Sequence, residues 1–433
     1  MSQKIGFWSV FAIVTGSQIG SSIFMSPISL APYGKFSILG WLISGLGAIA
    51  LCSVFAMLCA KFPETGGPHV YVKQAFNSVT AFFTGWTYWV ISWVSTTAVI
   101  ITIAGYLSPF MPYSNKLLYV FVEISVLLIV TLINLRGISF AGNAESLLTL
   151  LKFIPLIILP IVALFYFDAT NLVVSPQIAE LPTSKILGQV ALFTLWGFIG
   201  LETGTAPAGS VINPSKTIPK AIILGTSCVA LLYLLNSVSI LGLIPADQLA
   251  NSKAPYVDAS QILFKGSWYL VISAIAAVVC IGTLNAWVLT SGQIIFGLSK
   301  DGLVPKFLGK TNTAGAPFVG IIISSIGIVP LLLLTASDNF AARINSIIDI
   351  SVTSFLFVYL ICSIGFLKIM IKDKKFNIWL FLVGIIAAVF CSWVIYETKL
   401  QTLLVASLFT VSGVPLYFFW FCRTRKAHYQ AIS

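Results

Sequence analysis

The stretch Leu195-Trp-Gly-Phe-Ile-Gly-Leu-Glu-Thr-Gly204 places a glutamate and three glycines inside a long apolar run. An ionisable side chain is costly at membrane depth, so Glu202 is by default a functional-site hypothesis. Glycine is a poor helix residue, and Gly197 and Gly200 allow the helix to break between them. The segment Gly16-Ser-Gln-Ile-Gly-Ser-Ser-Ile-Phe-Met-Ser-Pro27 has the same character. We therefore predict two interrupted helices that face each other and form a transport site.

The composition around these stretches is that of a membrane protein. Of 433 residues, 58% are hydrophobic and only 9% are charged, whereas soluble domains carry roughly a quarter charged residues. Apolar runs of about 20 residues predict an all-α polytopic protein with twelve transmembrane helices in a single domain, residues 1–433. The predicted spans are 7–31, 38–61, 79–107, 117–135, 146–167, 187–211, 220–243, 268–298, 316–336, 345–368, 377–396 and 402–422.

The positive charge of the chain follows membrane topology. The formal net charge is +11, from 24 Lys and Arg against 13 Asp and Glu. In a soluble chain this excess would suggest nucleic acid, but the basic residues lie in the links between apolar runs, so we predict no nucleic-acid partner. With an even number of spans, the positive-inside rule predicts that both termini are cytoplasmic. The basic residues then left outside are Lys35, Lys116, Lys185, Lys253, Lys265, Arg343 and Lys399.

The two interrupted spans are the first and the sixth. One large class of transporters consists of two five-helix units of inverted topology, and the first helix of each unit is broken at mid-membrane. We predict this LeuT-like arrangement here, with repeats at about 7–167 and 187–368. The helices within 377–422 are then additional to the two repeats.

The break in the first span brings polar groups to membrane depth. Gln18, Gly20, Ser21 and Ser22 lie near its middle, and lipid cannot satisfy a backbone unwound there, so the break must line a cavity. Exposed helix N-termini attract a carboxylate, and freed carbonyls attract an ammonium group. An amino acid carries both groups. The alternative is a small-residue face for tight helix packing.

The sixth span adds an aromatic ring and a carboxyl. Glu202 could bind a cation, exchange a proton through a pKa raised by burial, or remain a neutral hydrogen-bonded side chain. With Glu202 nearby, Trp196 is predicted to offer its face to a cation. Other polar or aromatic residues at membrane depth, each of which could instead be packing, are Tyr88, Trp89, Ser92, Trp93, Ser95, Thr96, Thr97, Thr283, Asn285, Trp287, Thr290 and Ser291.

Three further charged residues lie in or near predicted spans. Lys152 is about two turns into the fifth span and could snorkel to the surface or act as an interior cation. Glu123 and Asp349 lie nearer span ends and are predicted to be interfacial. The seven cysteines lie in apolar segments without a Cys-x-x-Cys pair, so we predict no disulfide, metal or other cofactor.

Several motifs together resemble the amino acid–polyamine–organocation transporter superfamily. The resemblance covers essentially the whole chain, and its sixth-span tract is most similar to bacterial basic amino acid/polyamine antiporters. The matching motifs are Gly16–Phe24, Lys61–Gly67, Asn134–Gly137, Thr149–Lys152, Glu202 through Pro214, and Lys300–Pro305.

The resemblance implies roles for individual residues. Backbone at Ser21 and Ser22 would receive the substrate carboxylate, and the Ile199 carbonyl would receive the α-amino group. Trp196 would cover the substrate as a gate, and Trp287 would stack on its distal cationic end. Tyr88 would belong to the inner gate, and Glu202 would couple binding to protonation. The family also implies a bacterial inner-membrane location and, commonly, a homodimer.

Two departures leave the substrate open. Gln18 stands where the arginine exchanger has an aliphatic residue, and Thr96 stands where it has an asparagine. Lys152 resembles a lysine that replaces a bound sodium ion in some proton-coupled members. The predicted activity is exchange of a cationic amino acid for its decarboxylated amine or another amino acid, with no enzymatic activity. The alternatives are a proton-coupled amino acid symporter and, more remotely, a membrane sensor.

Overall fold

The computed structural model describes residues 5–64, 66–111, 116–137, 156–206, 208–264, 266–336, 340–373 and 377–420. Within these ranges the regular structure is helical, apart from a single bridge between Ile5 and Val211. Helices close their own backbone hydrogen bonds, which is what a chain without water around it requires. The prediction of an all-α membrane protein is confirmed.

The helices are numbered in chain order. They are α1 (Phe7–Gln18), α2 (Ser21–Leu30), α3 (Phe36–Lys61), α4 (Pro68–Ala75), α5 (Ser78–Val94), α6 (Thr96–Leu107), α7 (Lys116–Leu135), α8 (156–164), α9 (Pro176–Ala179), α10 (Thr183–Leu195), α11 (Pro214–Leu243), α12 (Ala246–Ala250), α13 (Pro255–Leu263), α14 (Trp268–Lys300), α15 (Phe318–Leu334), α16 (Phe340–Lys372), α17 (Ile378–Glu397) and α18 (Leu400–Val411).

Ten stretches of the described chain are long and apolar enough to cross a membrane. The helix α15 is apolar but has only 17 residues. Of the predicted fifth span, only the part from residue 156 onward is described. The count of twelve and the inverted repeat remain predictions. The ten stretches are Phe7–Tyr33, Phe36–Lys61, Ser78–Phe110, Lys116–Leu135, Thr183–Thr205, Pro214–Leu243, Trp268–Lys300, Ala342–Lys372, Ile378–Glu397 and Leu400–Trp420.

Both predicted interruptions are present. The first span divides into α1 and α2, and the sixth divides after α10, where short 3-10 turns replace the α-helix. The third span is also interrupted, at Ser95 between α5 and α6. Breaks at this depth need protein or a cavity around them because lipid offers no hydrogen bonds.

The third and sixth spans are the most deeply buried of the ten. In Ser78–Phe110 and Thr183–Thr205, 89% and 83% of an apolar window is buried, against 67% in Phe7–Tyr33 and 11% in Leu400–Trp420. The helix α3 packs along α11, and α14 packs along α6. The interrupted third and sixth spans are therefore largely enclosed by protein, and the last helices lie at the periphery.

Candidate functional site

The break in the first span consists of Ile19 and Gly20. Ile19 has extended backbone, with ψ of 102°. A Cβ at Gly20 would overlap the side chain of Thr283 in α14, so glycine is what allows this close approach. The Thr283 hydroxyl donates a hydrogen bond to the Ile19 carbonyl at 3.1 Å. The N–H groups of Ser21 and Ser22 open the first turn of α2, where no intrahelical acceptor is available.

The break in the sixth span follows one 3-10 turn, Trp196–Phe198. Ile199 is extended, with φ of −61° and ψ of 128°. Gly200 then has φ of +104°, a left-handed conformation that glycine adopts readily and that strains other residues. The sequence-predicted break therefore lies at Ile199–Gly200, and Trp196 and Glu202 do not lie on one continuous helical face.

Hydroxyl groups join the two breaks. The Ser17 hydroxyl donates to the Gly200 carbonyl at 3.1 Å and lies 2.7 Å from the Thr203 hydroxyl. On the other side, the Tyr233 hydroxyl of α11 donates to the Gln18 carbonyl at 2.8 Å and is hydrogen-bonded to the Ser22 hydroxyl. These contacts satisfy backbone groups that the break would otherwise leave without partners. Tyr233 was not identified from the sequence.

A small cavity lies between the two breaks, and we call it the central cavity. It contains seven of the eight residues predicted to bind substrate. The indoles of Trp196 and Trp287 are both buried. Among the described residues, none that lines the cavity has an ionisable side chain. The lining residues are Ser17, Gln18, Gly20, Ser21, Ser22, Ser95, Val99, Trp196, Ile199, Thr283 and Trp287.

Thr96 is the predicted residue that does not line the central cavity. Its hydroxyl donates to the Trp93 carbonyl at 2.6 Å, across the interruption of the third span. The preceding residue, Ser95, lines the cavity instead. The sequence predicts both hydroxyls within the third span, but the direction in which each points depends on the interruption between α5 and α6.

Glu202 lies in a second cavity, which we call the Glu202 cavity. The carboxyl is fully buried, and its two oxygens accept hydrogen bonds from the hydroxyls of Tyr88 and Tyr359, each at 2.6 Å. Glu202 and Trp196 therefore line different cavities, because the break at Gly200 redirects the chain. Tyr359, which comes from α16, was not identified from the sequence. The other lining residues are Gly66, Gly67, Pro68, Thr205, Ala206, Thr290, Gln293 and Ile294.

Aromatic rings connect the two cavities. The ring of Phe355 in α16 lies 5.7 Å from Trp287, 5.9 Å from Tyr88 and 6.1 Å from Tyr359, measured between ring centroids. Trp287 lines the central cavity, and Tyr88 lines the Glu202 cavity. We call these four rings the aromatic layer, since through Phe355 they link a ring that lines one cavity to a ring that lines the other.

Comparison with known proteins agrees with this architecture. The amino acid permease family matches residues 5–421 of the chain. The chain belongs to this family. The family predicted from the motifs is thereby confirmed.

The permease is similar to bacterial transporters of known name. It is 30% identical over 425 residues to the putrescine transporter PotE of Haemophilus influenzae, covering 96% of this chain and 97% of the relative. It is 31% identical over 343 residues to a cadaverine/lysine antiporter of Escherichia coli, covering 78% of this chain and 77% of the relative. It is 28% identical over 422 residues to the putrescine transporter PotE of Escherichia coli, with 96% of each chain covered.

The remaining charged residues of the permease differ from expectation in part. Glu123, predicted to be interfacial, is completely buried and paired with Arg343. Asp349 lines a separate cavity with Tyr33, and Lys399 lies in the same lining. Lys152 lies outside the described residues.

A buried histidine contacts an aspartate on the predicted cytoplasmic side of the permease. Nε2 of His69, in α4, is 3.2 Å from a carboxylate oxygen of Asp301, just after α14. The hydrogen bond from His69 holds the pKa of the Asp301 carboxyl below its ordinary value, and the positive charges of Lys73 and Lys300 act in the same direction. Among the described residues, no three His, Cys, Asp or Glu side chains come together as metal ligands would.

Proposed function

We propose that the permease is a secondary active antiporter that exchanges a cationic amino acid for its decarboxylated amine, or for another amino acid, by alternating access. The proposal follows the names of its relatives, which include a cadaverine/lysine antiporter and putrescine transporters. The observation that carries it is the meeting of two broken spans around a cavity lined by two indoles. The same proposal includes an inner-membrane location, a 5+5 inverted repeat, cytoplasmic termini and a homodimer.

The two breaks offer complementary ends to an amino acid. The substrate carboxylate would accept hydrogen bonds from the free N–H groups of Ser21 and Ser22 at the start of α2, where the helix dipole also favours negative charge. The α-ammonium group would donate to the carbonyl of Ile199, to which no described residue donates a hydrogen bond. The same backbone groups would hold the polar ends of neutral amino acids, so they do not select for charge.

Selection of a cation would come from the indoles. Trp196 and Trp287 line the central cavity, and a cation over an indole face gains about 0.5–2 kcal/mol depending on its desolvation. Gln18, which lies in the same lining, adds amide polarity on the α1 side. Trp196 would also close over the bound substrate as a gate.

The inner gate of this antiporter would be the Tyr88–Glu202–Tyr359 group. Substrate that leaves toward the Glu202 cavity must part the aromatic layer, and this separates Tyr88 from Tyr359. The carboxyl of Glu202 then loses hydrogen bonds and becomes free to meet a cation or take up a proton. Proton coupling through Glu202, and through Lys152, is part of this proposal.

Counterflow in proteoliposomes tests the activity. Vesicles loaded with lysine, arginine, ornithine, cadaverine, agmatine or putrescine are assayed for uptake of a labelled member of the same set. An antiporter takes up label only when a substrate is inside. Uptake into empty vesicles driven by a proton gradient alone would instead establish the symporter. A thermal-shift screen against the same compounds identifies the ligand independently, since binding stabilises the folded state by mass action.

A further inference from the structure

The pair formed by Glu123 and Arg343 is buried and lies near the start of α16. The side chains come from α7 and α16 and are 220 residues apart in the chain. Nη2 of Arg343 donates to both carboxylate oxygens of Glu123, at 3.2 Å each. Glu123 is 0% exposed and Arg343 is 7% exposed. Opposite charges inside a membrane protein usually have a function, because each is costly there alone.

One end of this contact belongs to a helix that is held in place by other polar contacts. The Thr131 hydroxyl of α7 lies 2.8 Å from the Ser325 hydroxyl of α15. The Asn134 amide of α7 donates to the Asn285 side chain of α14 at 3.0 Å. The helix α7 is therefore attached to α14 and α15 independently of Glu123.

The other end belongs to the helix that carries the inner gate. Phe355 and Tyr359 are in α16, and Tyr359 contacts Glu202 directly. Arg343 precedes Tyr359 by 16 residues, which corresponds to about 24 Å along a helix. The ion pair therefore lies near the start of α16, and the gate contact lies near its middle.

We propose that Glu123 and Arg343 are positioning residues for exchange: the pair fixes the outer part of α16 on α7, and α16 tilts about this point when Tyr359 separates from Glu202. This inference rests on the proposed function, in which opening of the inner gate moves Tyr359. Both hydrogen bonds come from one guanidinium nitrogen, so they restrict the distance between the two side chains while still allowing the guanidinium to turn, as a pivot requires. Apolar packing at the same place would hold the helices together but would not define one pivot.

A stability role alone is a weaker explanation. Replacing a buried ion pair by well-packed apolar residues is often neutral or stabilising, whereas removing one partner is strongly destabilising. In addition, Nε of Arg343 is buried without a partner among the described residues. Within the described residues the pair therefore leaves one guanidinium donor unpaired, so stability alone explains it less well than a role in helix positioning does.

The test compares four variants with the wild-type protein in proteoliposomes: Glu123→Gln, Arg343→Gln, the exchanged pair Glu123→Arg with Arg343→Glu, and the apolar pair Glu123→Leu with Arg343→Met. For the single variants we expect the maximal exchange rate to fall about tenfold or more while the half-saturating concentration changes less than about threefold. The exchanged pair should recover much of the rate. The apolar pair should recover the melting temperature but not the rate. Thr131→Val is the matched control, since it removes a buried polar contact of α7 that does not involve α16, and its rate should stay near wild type.

Two results would overturn the inference. Recovery of both the melting temperature and the exchange rate in the apolar pair would show that the contact serves only to pack α7 against α16. A half-saturating concentration that rises in parallel with the loss of rate would assign the pair to binding.

A measurement without substrate separates this inference from the proposed function. In a cysteine-free background, Gln293→Cys places a thiol in the Glu202 cavity, and its reaction with a membrane-impermeant thiol reagent reports opening of the gate. Glu123→Gln should slow this reaction, and an unchanged rate would exclude a pivot. If the wild-type protein exchanges none of the tested compounds, the proposed function fails, while the labelling rate still tests the pivot.

Discussion

The central cavity and the Glu202 cavity are linked by the rings of the aromatic layer, yet they are built from different chemistry. Among the described residues, the lining of the first has hydroxyls, backbone groups and two indoles and no ionisable side chain. The second contains a buried carboxyl whose two oxygens both accept hydrogen bonds from tyrosine hydroxyls. In the proposed function, aromatic faces would recognise a cationic substrate in the central cavity, and Glu202 would act in the gate.

The largest expected effect is at Glu202. Glu202→Ala should abolish pH-dependent exchange in proteoliposomes, because the gate loses the carboxyl that both tyrosines contact. Substrate affinity measured by thermal shift or calorimetry should change less than about threefold, since the carboxyl does not line the central cavity. A loss of binding as large as the loss of exchange would show that Glu202 contributes to the substrate-binding site. Unchanged exchange at every pH would remove Glu202 from the mechanism.

The opposite pattern is expected at Trp287. Trp287→Leu should weaken binding of cationic substrates about 5- to 30-fold, the equivalent of 1–2 kcal/mol for a desolvated cation–π contact. Trp287→Phe should lose less, because it keeps an aromatic face. Trp268, which is exposed at the start of α14, offers a control, and Trp268→Leu should bind as wild type does. Equal weakening by Leu and Phe would argue against recognition through the ring.

A smaller effect is expected from Tyr359→Phe, which removes one hydrogen bond to Glu202 and keeps the ring of the aromatic layer. A buried hydrogen bond contributes roughly 0.5–1.5 kcal/mol net, so the population ratio of the closed to the open gate should fall about two- to twelvefold. The rate of thiol labelling at Gln293→Cys should rise while substrate affinity is retained. A labelling rate equal to that of the parent protein would show that Tyr88 alone keeps the gate closed.

The smallest effect concerns the pH dependence of stability outside the membrane. Because His69 lowers the pKa of Asp301, the ionised carboxylate stabilises the folded state at pH values above the ordinary aspartate pKa. This contribution is lost as pH falls through the lowered pKa of the folded protein. The melting temperature of wild type in detergent should therefore exceed that of Asp301→Asn at pH 7, and the difference should shrink below about pH 4. A difference that persists unchanged to pH 3 would contradict the assignment.

Sequence reasoning located the breaks but not the contacts between them. Gly20 and Gly200 are visible as glycines among apolar residues, and each proves necessary for close packing or for a left-handed backbone. Thr96 shows where such reasoning ends. The Thr96 hydroxyl donates to a carbonyl of the preceding turn, while the neighbouring Ser95 lines the central cavity. Which of the two residues faces the cavity depends on the kink between α5 and α6, and the apolar pattern of the sequence does not encode that kink.

The sequence by itself determined that this is a membrane protein, which family it resembles, and that Glu202 lies within an apolar run. These features can be read locally, because a charge or a glycine is unfavourable in an apolar helix whatever surrounds it. Only the tertiary structure decided what each carboxyl contacts. It separated Glu202 from the central cavity, brought Tyr359 to it from 157 residues away, and paired Glu123 with Arg343. These outcomes depend on how helices pack side by side, and that packing sums many weak contacts between segments far apart in the chain.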